Sequence, residues 1–125
     1  MTKIADFTDT ELWIIQTTLK ERYRSEVAVH LADTEVSLTP GKPNLISSCP
    51  AVFWDYNQTS FVVIKVGEHR YRCHFFGRDL GMFRPDKQEY DEVADCVVTL
   101  LQVQADHERR RSQQLEGSSK GKFNG

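Results

Sequence analysis

The sequence is poor in the signatures that fix a chemistry. Its three cysteines, Cys49, Cys73 and Cys96, are an odd number and form no C-x-x-C pair, which argues against a secreted disulfide framework. No H-x-x-x-H or similar ligand spacing occurs, so no metal is expected. The seven glycines are scattered, with no G-x-G-x-x-G and no G-x-x-x-x-G-K-[ST]. Nucleotide binding by those loops is excluded, and no cofactor is expected. No run approaches the ~20 apolar residues needed to span a bilayer. The first residues, MTKIADFTDTE, carry early acids and lack the apolar region of a signal peptide. These absences lead to the expectation of a cytoplasmic protein with no membrane partner. Asn57-Gln58-Thr59 matches a glycosylation sequon but is read as a hairpin loop.

What is present suits one globular domain. The chain has 125 residues, 39% hydrophobic and 27% charged, enough for a two-layer core. The domain is expected to cover residues 1–111, followed by a flexible basic tail over 112–125. The net charge of −2 conceals segregation. Residues 61–84 hold five bases against two acids, and 109–125 five against one, whereas 85–108 hold seven acids against one base. Basic charge therefore belongs to the middle of the chain and the tail, acidic charge to the segment between them.

Helix signals stand at both ends. Thr8 and Glu11 form a capping box, with Phe7 and Leu12 at the positions of a hydrophobic staple. Leu12, Ile15, Leu19 and Tyr23 then recur at helical spacing, predicting a helix over about 9–24 with Glu11, Lys20, Glu21 and Arg24 on its opposite side. Asp86 and Glu89 resemble a second capping box. Tyr90, Val93, Val97, Leu100 and Leu101 continue as an apolar stripe, so a long helix is expected from Asp86 to Arg111.

Between the helices lie strands. Glu26–Leu38 alternates with a slip near Ala32–Thr34 that suggests a bulge or break. The segment through Cys49-Pro50 reads as irregular, Ala51–Tyr56 as a strand, and Ser60–Phe76 as a hairpin turning at Gly67-Glu68. That turn pairs Val66 with His69 and Ile64 with Tyr71. One face then carries Val62, Ile64, Val66, His69, Tyr71, Cys73 and Phe75, and is expected to be the core. The other carries Phe61, Val63, Lys65, Arg70, Arg72, His74 and Phe76, joined across the loop at Asn57-Gln58 by Val52, Trp54 and Tyr56. The expected fold is α+β: a helix, a four-stranded antiparallel sheet with a meander for strands 2–4, and a long C-terminal helix, both helices packed on one sheet face.

Candidate chemistry is thin. Cys73 and His74 are adjacent, so on a strand they point to opposite faces and make no thiol–imidazole dyad. Cys73 and Cys96 read as small buried hydrophobes. Asp91, Glu92 and Asp95 read as a solvated helix face, and Asp55 as a structural carboxylate. An enzyme or metal-dependent protein is the weakest reading. The mixed sheet face is the specific feature. Arginine and aromatic residues dominate protein-binding hot spots. The expected function is therefore that of a non-catalytic accessory or regulatory protein. It would bind another protein, or a second copy of itself as a homodimer, through Trp54, Tyr56, Phe61, Lys65, Arg70, Arg72 and His74. The alternative is single-stranded nucleic acid on the same face, bases stacking on the rings and arginines holding phosphates. The negative net charge weighs against it.

Overall fold

The computed structural model describes residues 2–79 and 81–124. Helix α1 (Asp9–Tyr23) begins as its capping box requires. The Thr8 hydroxyl accepts the Glu11 N–H at 3.1 Å, and the Glu11 carboxylate accepts the Thr8 N–H at 2.7 Å. Arg24 closes the helix in the left-handed region, at φ 57°. Four long strands follow: β2 (His30–Ser37), β3 (Ile46–Tyr56), β4 (Thr59–Gly67) and β5 (Arg70–Phe76). Each pairs antiparallel with the next, so all four form the meander. Two-residue strands complete a six-stranded sheet: β1 (Thr2–Lys3), parallel to the start of β3, and β6 (Met82–Phe83), antiparallel to β5. Helix α2 (Val93–Asn124) ends the described chain. No helix among the described residues is long and apolar enough to cross a membrane.

Several boundaries differ from expectation for physical reasons. β3 begins at Ile46 and runs through Pro50. Proline is tolerated there because β3 changes neighbours at that point, from β1 at Ser48 to β4 at Ala51. β2 keeps one register from His30 to Ser37 without a bulge. It lies at the sheet edge with most of its residues exposed, so nothing requires its sequence to alternate. The second helix starts at Val93 rather than Asp86, because Tyr90 exchanges both backbone hydrogen bonds with Tyr71, each 2.8 Å. That bridge holds the preceding residues extended along β5. The α2 backbone is helical to Asn124.

The hairpin turns decide the faces. Asn57 and Gln58 take φ of 53° and 64°, a two-residue turn of the left-handed kind. Val52 therefore opposes Val63, and Trp54 opposes Phe61, as expected. The β4–β5 turn is not at Gly67-Glu68 but at Glu68-His69, with His69 at φ 54°. Lys65 pairs with Tyr71 and Gly67 with Arg70, leaving Val66 as an extra bulged residue. Relative to β4, every β5 side chain therefore lies on the opposite face from the one the sequence suggests: Tyr71, Cys73 and Phe75 are core as expected, but Phe61, Val63 and Lys65 join them inside in place of Val62, Ile64 and Val66.

Both helices cover one face of the sheet, as expected. The core joins Ile15 and Leu19 of α1, and Val93, Cys96, Val97, Leu100 and Leu101 of α2, to Val52, Trp54, Phe61, Val63, Tyr71, Cys73 and Phe75. A smaller cluster of Cys49, Ala51, Ile64 and Val66 lies on the other side, flanked by Ile4, Val36, Leu38 and Val62.

Gln58 carries a side chain in a conformation that costs about 1–2 kcal/mol for residues other than glycine. Gln58→Gly is expected to raise stability by about 0.5–1 kcal/mol after the larger entropy of the unfolded glycine chain is counted. A urea midpoint that falls instead would contradict the turn geometry.

Candidate functional site: the uncovered sheet face

The bulge at Val66 splits the expected binding residues into two sets. Trp54 and Phe61 lie under the helices at 0% and 1% exposure, their rings stacked at 5.3 Å. Lys65 is also inside, at 6%. Tyr56 sits at the end of β3, half out of the fold, with its ring stacked on Tyr23 at 3.7 Å. These four cannot join the arginines on one surface. Arg70, Arg72 and His74 lie on the opposite face, which no helix covers. There Ile64 opposes Arg72 and Val62 opposes His74 across the β4–β5 pair. Phe53, Val62, Arg72, His74 and Phe76 are all half-buried on that face. His74 meets Phe76 edge-on at 5.2 Å, and His30 lies 5.1 Å from Phe53.

One acid organises the arginines. Glu89, in the connector before α2, accepts from Arg70 Nε at 2.9 Å and Nη2 at 3.0 Å, and from Arg72 Nη2 at 2.7 Å. The Arg70 hydrogen bonds are the main cause of a Glu89 pKa below the usual carboxylate value, despite the opposing effect of burial. The rim of the face is thus an ion-pair network. The His74 imidazole is pushed down by burial first and by the charge of Arg84 second, so it presents a neutral ring at neutral pH.

The sequence reading missed a second polar cluster. Glu11, placed by periodicity on the outer side of α1, is 8% exposed. Its carboxylate receives Lys65 Nζ at 2.8 Å and the Tyr71 hydroxyl. Lys65 also donates to the Asp6 carbonyl at 3.1 Å. Burial raises the Glu11 pKa, but the hydrogen bonds from Lys65, the Thr8 N–H and Tyr71 together outweigh it and leave the value lowered. The signal available in sequence was Lys65 itself, a lone cation in an apolar strand, which needs a buried acid.

Burial raises the Cys49 pKa, and Cys96 is pushed up by its neighbour Cys73 and by burial, so neither carries a thiolate at neutral pH. All three are unbridged and buried. Asp55 accepts from the Ser60 hydroxyl at 2.5 Å, a local structural role. Among the described residues no three metal-ligating side chains converge. No family model matches the chain, and no curated protein or solved structure matches it.

Two outcomes follow. Lys65→Met leaves the Glu11 carboxylate buried without its cation and is expected to cost about 3–5 kcal/mol. Adding Glu11→Gln to that variant should recover part of the loss, read from urea midpoints; strictly additive losses would rule out the pairing. Glu11 and Glu89 both have folded-state pKa values below the ordinary 4.5. Their contribution is complete above pH 4.5 and is lost as the pH falls below it, through the lowered values. The thermal midpoint of Glu89→Gln should therefore drop less steeply in acid than that of the unaltered chain.

Proposed function

We propose that this chain is a small non-catalytic accessory or regulatory protein that binds another protein through its uncovered sheet face. The observation that carries this is the one-sided packing. Both helices lie on one face, while Phe53, Val62 and Phe76 stay half-buried on the other with no helix over them. A contiguous apolar area of this kind, rimmed by polar groups, is rarely left to water. Arg72 and His74 add directional polar contact beside it, and the Arg70–Glu89–Arg72 network holds the rim rigid, which lowers the ordering cost of docking. Of the residues expected from sequence, Arg70, Arg72 and His74 belong to this surface. Trp54, Phe61 and Lys65 support the fold beneath it. A cytoplasmic setting fits three buried, unbridged cysteines.

The single-stranded nucleic-acid alternative is weakened, because Trp54 and Phe61, two of the rings expected to stack bases, are enclosed.

Val62→Asp with Phe76→Asp is the test. Both side chains are only half-buried, so the variant should keep its far-UV circular dichroism. It is expected to lose a partner that the unaltered chain retains in stoichiometric amount from its native host. Light scattering on the purified chain separates a second copy from a different protein. Retention of the same partner by the folded variant would overturn the proposal.

A further inference from the structure

The end of the molecule away from the Glu11 cluster carries a separate constellation. After β5 the chain turns sharply into β6. The Gly77 N–H donates to the Gly81 carbonyl at 3.0 Å, and the Gly81 N–H donates to Asp79 Oδ1 at 3.1 Å. A Cβ at Gly77 would stand 3.2 Å from Asp79 Oδ1 and 3.3 Å from the Phe83 ring, so the turn is close-packed there. The turn presents Arg78 toward α2. From α2 come His107, Arg110 and Arg111, spaced i, i+3, i+4 and therefore on one helix face. Together with Asp79 these four residues line a cavity of about 320 Å³. A second cavity of about 530 Å³ adjoins it and shares His107 and Arg110. Phe75, Met82, Phe83, Pro85 and Val103 line this second space together with the charged Arg84, Asp86 and Asp106.

The two halves differ in chemistry. The first has three guanidinium groups against one carboxylate in its lining. Arg78 is tethered to Glu108 at 3.4 Å, but among the described residues no carboxylate lies within 4.0 Å of Arg110 or Arg111. The second has an aromatic wall: His107 lies 4.2 Å from Phe83, and Phe83 stacks on Phe75 at 5.3 Å. Met82 is left 47% exposed beside it.

We propose that this end binds a small ligand in which a planar ring is joined to a phosphate group, a nucleoside diphosphate being the type. Arg78, Arg110 and Arg111 hold the phosphate, because guanidinium groups match phosphate oxygens in charge and fork geometry. The ring lies in the second space against Phe83 and Met82. The space suits a ligand of this size, and no glycine-rich phosphate loop is required. The site borders the protein-binding face, because Met82, Arg84 and Pro85 also line a cavity with Ile64, Arg72 and His74.

Calorimetric titration of the full chain with ADP, GDP and UDP, and with adenosine and pyrophosphate as the separated parts, tests it. At least one nucleoside diphosphate should bind about tenfold or more tighter than either part. Arg110→Ala with Arg111→Ala, two residues outside the core, should weaken that binding about tenfold or more with the thermal midpoint unchanged. Met82→Ser should weaken the nucleotide and leave pyrophosphate unaffected. Absence of binding by all three nucleotides, equal binding by pyrophosphate, or indifference to the arginine pair would each overturn the proposal.

Discussion

Between Lys65 and Gly67 the pairing of β4 with β5 slips by one residue, and each β5 side chain owes its face to that slip. The bulged residue, Val66, is 1% exposed and belongs to the smaller cluster with Ile64, so it is held by packing. His69 completes the device by accepting a left-handed conformation in the turn. The consequence is a clean division. Tyr71, Cys73 and Phe75 enter the core with Phe61 and Val63, while Arg72, His74 and Phe76 stay with Val62 and Ile64 on the open side.

Charge explains why the unbulged pairing is unavailable. It would carry Arg70, Arg72 and His74 onto the face of Lys65, under the helices, where Glu11 is already paired with Lys65. Each additional unpaired cation taken from water would cost several kcal/mol. The bulged pairing instead sets Tyr71 beside Lys65, and both donate to Glu11. The same acid caps α1, so one carboxylate ties the helix start, the sheet and the N-terminal segment together. On the other face Glu89 does the equivalent for Arg70 and Arg72 and anchors the connector that runs along β5. That connector, with its bridge at Tyr90, also covers the β5 edge. The β2 edge remains open and carries the exposed acids Asp33 and Glu35, which discourage pairing with another copy.

Much of this was legible in the residues. The capping box at Thr8 and Glu11, the stripes of both helices, the α+β class, the one-sided helix packing and the Trp54–Phe61 pairing all follow from local periodicity and turn chemistry. The β4–β5 register does not. Gly67-Glu68 offers a plausible two-residue turn, and both faces of the hairpin hold apolar residues, so neither pattern penalises a shift by one. The choice is made by long-range terms, namely where the arginines find Glu89 and where Lys65 finds Glu11. The pocket between the β5–β6 turn and α2 was hidden for the same reason. Arg78 and Arg110 are distant in sequence, and nothing local brings the β5–β6 turn to the end of α2. Pro50 and the flat exposure of β2 misled the strand boundaries because edge positions relax the rules that hold in the interior.

The register is the claim on which the binding face stands, and cross-linking reads it directly. The bulged pairing sets Val62 opposite His74, whereas a turn at Gly67-Glu68 sets Val62 opposite the native Cys73. Mild oxidation of Val62→Cys/His74→Cys, followed by peptide mapping, should give a bridge between positions 62 and 74, and Val62→Cys alone should give no bridge to Cys73. A bridge from position 62 to Cys73 in either chain would contradict the account.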